Sequence, residues 1–360
     1  MDNIARQPLS SASLQSNVIS FLRFPMIVGV VMIHSNLDDI VIDGKSFFNV
    51  AQFPIFENIS FLISHILSRI AVPLFFFISG FLFFKGDFTF DSYKDKLKRR
   101  AKTILLPYVL WNLFVLVLYL GMELYIPSLR SGRNSFLSYT PLQWLNLFWD
   151  GSGGFPICFQ FWFLRDLMVV MVLSPIIFLG IRYLKCYFVL LLGIFWITNI
   201  WCDISGFSIS AFFFFSTGAF FNIIKINFVD FLKPLTNYSM ILYIIICGIN
   251  IYFRNEYMLS TGIIIGMVCA VTLTARKLED GKWHVNNFLS ESSFFIYAYH
   301  GTLIALLIKL AVKITLPDSE FELIAIYFLA PSFTILIGLG IYYLLKRYVP
   351  KFTSIITGGR

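Results

Sequence analysis

The chain has 360 residues, of which 58% are hydrophobic and only 13% charged, with a formal net charge of +8 and a mean hydropathy of +0.78. A soluble domain carries about 25% charged residues, so the composition excludes an ordinary soluble protein and describes an all-α polytopic membrane protein. The positive balance is expected to mark cytoplasmic loops, and no nucleic-acid partner is expected.

The polar start MDNIARQPLSSASLQS precedes an apolar run with no small-residue cleavage site after it, so no cleavable signal peptide is expected. A helix needs about 20 apolar residues to cross a bilayer. Ten runs qualify: 18–37, 60–84, 104–121, 161–181, 187–202, 207–224, 236–253, 258–275, 292–312 and 321–345. With the N-terminus inside, nineteen Lys and Arg residues fall on the inner segments and five on the outer ones. The outer five are Lys45, Arg130, Arg133, Arg254 and Lys313; the first outer loop instead carries Asp38, Asp39, Asp43 and Glu57. This bias predicts a bundle of about ten spans with both termini cytoplasmic. Residues 1–17 read as a cytoplasmic segment, 18–347 as the transmembrane domain and 348–360 as a cytoplasmic tail.

The first span, FLRFPMIVGVVMIHSN at 21–36, contains Arg23 and His34. Charge inside a bilayer is costly and marks a function or a buried partner. Arg23, read as lying near the cytoplasmic start, could by itself snorkel to the headgroups. Eleven residues at about 100° each make three turns plus about 20°, so His34 shares its face, about 16 Å along the axis. That face suits an elongated anionic ligand entering from the cytoplasm. Asp38, one turn later, would orient the imidazole or simply belong to the loop. HSNLDD at 34–39 also fits a His-x4-Asp acyltransferase pattern, but Asp39 would lie about 140° away on a helix, and the match is taken as chance.

The second span holds Arg69, with His65 four residues earlier on the same face. Ser79-Gly80 interrupts its aromatic run and admits either a ligand or a close helix neighbour. The basic run KDKLKRRAK at 94–102 would attract an anionic donor, or serve only as a topological determinant. The loop at 122–160 contains Ser-Gly-Arg-Asn at 131–134 and GSGGFP at 151–156, with turn chemistry at both; it is a lid, an acceptor site or a passive connection. The ninth span places His300 about three turns into the membrane. The cysteines Cys158, Cys186, Cys202, Cys247 and Cys269 form no CxxC pair and no Cys/His ligand spacing, so packing roles and no metal site are expected. Histidine suits proton removal from a hydroxyl, and arginine binds phosphate without losing charge. Together they suggest direct transfer from a phosphorylated donor to a hydroxyl.

These residues resemble the acyltransferase-3 family of integral-membrane acyltransferases over about residues 18–347. Arg23 and His34 match its Arg-x10-His pair. SRIAVPLFFFISGFLFF, 68–84, is similar to its second span, with Arg69 and Ser79-Gly80 in register. KRRAKTILLPYVLW, 98–111, resembles its basic loop before Pro-Tyr-x-x-Trp, FWFLRDL, 161–167, its Trp-Phe-Leu motif, and SSFFIYAYHG, 292–301, its Tyr-x-x-His segment. The family's Arg-x-x-Arg is replaced here by Arg99-x-x-Lys102 or Lys96-x-x-Arg99. The resemblance implies a bundle with a central passage that moves an acyl group, commonly acetyl, from cytoplasmic acyl-CoA to a hydroxyl of a cell-surface glycan or lipid-linked sugar. It implies the bacterial inner membrane and no bound cofactor beyond the donor substrate. His34 is the expected general base, with Arg69 and His300 beside it as catalytic residues. Arg23, Ser79, Gly80, Arg99, Arg100 and Lys102 are the expected donor-binding set. A transporter or flippase, and an assembly subunit of a polysaccharide machine, are the rival readings.

Overall fold

The computed structural model describes residues 10–37, 41–42, 45–46, 52–125 and 135–359. Asp38, Asp39, Asp43, Arg130, Arg133 and the 131–134 turn lie outside the described residues, as do Arg6 and Arg360. The regular structure of the described residues is helical apart from a short antiparallel pairing of Val41–Ile42 with Lys45–Ser46 and an isolated bridge between Ser152 and Phe155.

Helix α1 runs Ser11–Ile33, with the Ser10 hydroxyl accepting from the Ser13 N–H as its N-cap. It starts earlier than the apolar run. The polar residues 11–17 extend the helix because a good cap precedes them. Arg23 therefore sits midway along α1 rather than near its start, and His34 is its C-cap.

The second apolar run is one long rod with irregular winding. Helix α2, Pro54–Ser60, passes through a π-helical stretch, Phe61–Leu67, and a 3-10 turn, Ser68–Ile70, into α3, Ala71–Phe83. The amphipathic α4, Phe90–Arg100, continues through a second π stretch, Ala101–Leu105, into α5, Leu106–Tyr125. After α6, Pro141–Asn146, the fourth run is broken. Helix α7, Trp162–Val172, and α8, Ser174–Leu184, meet at 61°, because Pro175 supplies no N–H and crowds the residue before it. Helices α9, Cys186–Thr198, and α10, Ile209–Ile223, have 13 and 15 residues, about 20 and 22 Å at 1.5 Å per residue. Then come α11, Phe228–Leu232, α12, Thr236–Phe253, α13, Glu256–Glu279, α14, Asn287–Thr315, α15, Glu320–Tyr348, and α16, Pro350–Thr357.

Every predicted apolar run is thus a helix. Seven of them are long and apolar enough to cross a membrane, one is the bent pair, and α9 and α10 are the two short ones. The polar contacts sort by end. At the Ser11 end, Ser11 donates to Asp230, Lys233 meets Glu279 at 2.6 Å, and Lys346 pairs with Glu291. At the His34 end, Arg254 pairs with Glu57, and the Glu320 carboxylate accepts the free N–H groups of Ile55 and Phe56 at 3.1 and 2.7 Å. The chain after the last long helix does not trail away. Helix α16 folds back, Trp111 Nε1 donates to Ile356 O at 3.0 Å, and Gly358 seats against Thr103 O in the second π stretch.

Helices α3 and α10 cross through paired glycines. A Cβ on Gly80 would lie 2.0 Å from Phe215 O, and one on Gly218 would lie 1.9 Å from Phe77 O. Backbone meets backbone at both points, so neither position can accommodate a methyl without separating the helices. Gly80→Ala or Gly218→Ala is expected to destabilise the protein by about 1–3 kcal/mol, the usual cost of overpacking. Thermal unfolding in detergent would register this as a clear loss of melting temperature, while Gly248→Ala, inside α12 with no atom within 4 Å of the added Cβ, leaves it unchanged or raises it slightly.

Candidate active site

The last turn of α1 is anchored by its neighbours. The Met32 carbonyl, near the helix end, accepts from Ser35 Oγ at 2.7 Å and Ser64 Oγ at 2.9 Å. Ser64 Oγ is also 2.7 Å from Tyr327 Oη, which ties the end of α1 to the π stretch and to α15. Gly29 packs beside Ser68, where an added Cβ would make ordinary contact at 3.5 Å. His34 is thereby fixed half-buried at the head of α1, its ring edge-on to Phe159 at 5.0 Å and 5.3 Å from the ring of His300.

His34 faces an outer cavity of about 670 Å³, within the range of small-molecule sites. His65 and Arg69 share its wall, as do Phe155, Phe159, Gln160 and Trp162, and Asn199, Ser210, Glu256 and Tyr257 line the other side. Arg69 Nη2 lies 3.4 Å from His65 Nδ1. The pairing expected four residues apart is present, although the winding there is π and 3-10 rather than α. Such π segments recur at functional sites because they turn side chains out of α register.

Arg23 faces a second, inner cavity of about 170 Å³, together with Arg100, Ser79 and Ser293 and an apolar wall. The two cavities lie back to back. Val30, Val72, Phe163 and Tyr297 line both. The face shared by Arg23 and His34 on α1 thus serves two chambers, with Val30 on the wall between them.

The expected donor set divides. Arg100 and Ser79 reach the inner cavity beside Arg23. Arg99 and Lys102 do not line it: both are exposed, and Arg99 Nε donates back to Asp95 O at 3.4 Å. Gly80 is a helix-crossing residue, buried against α10, and lines neither cavity. His300 is fully buried and lines neither cavity; it stands behind His34.

Sequence reasoning missed the anchor of the GSGGFP loop. Arg165, in α7, is buried at 4% exposure beside Asp166 at 1%. Its guanidinium pairs with Asp166 at 3.0 Å and donates to Trp149 O at 2.7 Å and Gly154 O at 2.8 Å. Asp150 accepts from Gly154 N at 2.9 Å and Ser205 Oγ at 2.8 Å. Gly153 and Gly154 hold φ of +59° and +84°, open to glycine at no steric cost. The described end of the loop is held by these bonds. It is pinned to the 200–208 segment, and Phe155 and Phe159 beyond it form part of the outer wall. The signal in the sequence was a charged pair, Arg165-Asp166, within an apolar run. Next to it, Gln160 Nε2 donates to Ala298 O at 2.8 Å, and Tyr297 Oη donates to Gln160 O at 2.6 Å. Gly301 leaves room for this amide, since a Cβ there would lie 2.5 Å from Gln160 Oε1.

The fold and the site thus define a polytopic membrane bundle in which a cation-lined chamber and an imidazole-lined chamber meet at one wall. The sequence matches the acyltransferase-3 family, described as an acyltransferase domain, over residues 17–343, and the chain belongs to that family. It is a membrane acyltransferase. It is also similar to the succinoglycan biosynthesis protein ExoH of Rhizobium meliloti (strain 1021), 26% identical over 372 aligned positions that cover 95% of this chain and 92% of that protein. No solved structure matches the chain.

Removing one member of the buried pair leaves the other charge unpaired, which costs about 3–5 kcal/mol. Arg165→Met is therefore expected to lower the melting temperature in detergent sharply and to expose the 149–158 loop to protease. The double variant Arg165→Met/Asp166→Leu recovers much of the melting temperature but not the protection of the loop, whose carbonyls at Trp149 and Gly154 still lack their donor.

Proposed function

We propose that the protein transfers an acyl group, acetyl in the simplest case, from acyl-CoA on the cytoplasmic side to a hydroxyl of a cell-surface glycan or lipid-linked sugar on the far side of a bacterial inner membrane. The observation that carries the reading is the pair of back-to-back cavities on one face of α1, with Arg23 in one and His34 in the other. With the Ser11 end cytoplasmic, the inner cavity faces the donor compartment. Its guanidinium groups, Arg23 and Arg100, suit the phosphates and polar arm of the donor. At about 170 Å³ the chamber takes only a part of such a molecule, and the exposed basic residues Arg99 and Lys102 on the adjoining surface attract the remainder.

His34 acts as general base. It takes the proton of the acceptor hydroxyl, the oxygen attacks the thioester carbonyl, and the C–S bond breaks. The proton then passes from the imidazolium to the departing thiolate, so the products are an ester and free CoA. Arg69, on the same outer wall, stabilises the negative charge that develops on the carbonyl oxygen. The acyl end reaches His34 between Val30, Val72, Phe163 and Tyr297. The outer wall, with Trp162, Tyr257, Asn199 and Ser210, offers rings and small polar groups in the mixture a sugar requires. Similarity to a succinoglycan biosynthesis protein favours a polysaccharide acceptor, and membership of an acyltransferase family favours transfer over a transporter.

In membranes supplied with radiolabelled acetyl-CoA, label should enter the cell-envelope glycan fraction. His34→Ala at matched protein level is expected to lower the rate by about 10²–10⁴-fold, the usual contribution of a general base; equal labelling would remove His34 from the chemistry. Arg100→Ala should raise the acetyl-CoA concentration giving half-maximal rate by about tenfold, as expected for a lost charged hydrogen bond. Arg99→Ala should raise it far less, and equal effects would contradict the assignment of Arg100 to the inner cavity.

A further inference from the structure

His300 carries an unanswered polar atom. It is completely buried in α14, and its Nδ1 lies 2.7 Å from Tyr297 O. A carbonyl oxygen can only accept, so Nδ1 holds the proton, and in the neutral ring Nε2 is a bare lone pair. That Nε2 is shielded from solvent and has no hydrogen-bond partner, which buried acceptors rarely tolerate.

Of the polar groups nearby, the Tyr297 hydroxyl donates to Gln160 O, and one of the two N–H groups of the Gln160 amide donates to Ala298 O. Phe159 and Gly301 offer no side-chain donor. The remaining ring beside His300 is His34, at 5.3 Å between centres and tilted by 37°. From that position a rotation of the His34 ring brings one of its N–H groups to the lone pair of His300 Nε2.

We infer that His300 is a positioning residue whose Nε2 accepts an N–H of His34, so that the other nitrogen of His34 is presented unprotonated to the outer cavity. The inference rests on the reading of His34 as general base. The consequence is a chain of fixed polarity: Tyr297 O accepts from His300 Nδ1–H, and His300 Nε2 accepts from His34. A partner that sets the tautomer of a catalytic imidazole works in this way. His300 lines neither cavity, so it touches no substrate and acts only through His34. When His34 becomes imidazolium, the same contact persists and holds the ring in place while the second proton is delivered to the thiolate.

The test uses the full-length protein in a strain lacking its own copy. Its readout is the initial rate at which base-labile ester appears on cell-envelope polysaccharide after induction, at matched membrane levels. His300→Asn keeps an amide N–H near Nδ1 for Tyr297 O and offers nothing at the Nε2 position. His300→Gln places a carbonyl oxygen near Nε2. The Asn variant is expected to lose about 10²-fold or more, in the manner of a lost tautomer-setting partner, and the Gln variant to regain at least tenfold of that. In a His34→Ala background, adding His300→Asn should change nothing further, because residues acting as one unit are non-additive. A further loss in the double variant would overturn the inference, since His300 would then act independently of His34. Equal rates for Asn and Gln variants of unaltered melting temperature would also overturn it. If the wild-type protein adds no ester over an empty vector, the acyl-transfer reading fails and the inference with it. If wild type adds ester and His34→Ala matches it, the assignment of His34 fails while the enzyme class stands.

Discussion

Everything in this fold answers to a charge that cannot face lipid. Arg23 sits midway along a helix that spans the bundle, and His34 caps that helix on the same face. In hydrocarbon such a face would cost several kcal/mol. The bundle therefore surrounds α1 instead of setting it at the rim. Helices α3, α13 and α14 and the irregular part of the second rod pack around it. The face with Arg23 and His34 looks onto cavities, and Leu14, Val18, Leu22 and Val31 are buried in the core. A water-accessible chamber on either side of a packed waist satisfies both demands at once.

The waist needs rigid neighbours. Helix α3 contributes Val72 and is locked to α10 by reciprocal glycines, so its position is set by backbone contact and not by adaptable side chains. Helix α14 contributes Tyr297, whose hydroxyl is held by the Gln160 carbonyl. The 3-10 turn that carries Gln160 also carries Phe159, whose ring meets His34. Behind it, the Arg165–Asp166 pair fixes the preceding loop. A buried ion pair is a poor source of net stability but a strict geometric constraint. Here its guanidinium spends its remaining donors on two loop carbonyls, which places an aromatic wall at the mouth of the outer chamber.

Much of this was legible in the sequence, because the bilayer simplifies the code. Ten apolar runs correspond to helices, and the isolated Arg and His residues within them point to cavities. Helical arithmetic was enough to put Arg23 and His34 on one face. It was not enough to place Arg23 along the helix, since the polar residues 11–17 gave no apolar signal although Ser10 caps a helix there. Gly80 illustrates a second limit. A glycine in a spanning helix reads equally as a ligand contact or a helix crossing, and only Gly218, 138 positions away in sequence, decides it. Arg100 could not be separated from Arg99 and Lys102, because which of three neighbours on a helix faces inward depends on the π stretch at Ala101–Leu105. The docking of α16 against that stretch is likewise a tertiary fact with no local signature.

The arrangement also bears on why a thioester would be safe in such an enzyme. Acyl-CoA is prone to hydrolysis whenever a general base and water meet its carbonyl, and a base held beside an open outer chamber has water in plenty. Under the proposed function, a donor seated at Arg23 and Arg100 would hold its carbonyl on the inner-cavity side of Val30, Val72, Phe163 and Tyr297 until its acyl end enters between them. These four side chains are apolar or, for Tyr297, have their hydroxyl committed to a backbone carbonyl, so the waist offers water no site to rest in. On that reading the reactive carbonyl would meet His34 only on entering the waist itself, where the acyl group would exclude water. Separation by an apolar wall would then favour transfer to the acceptor over hydrolysis through packing.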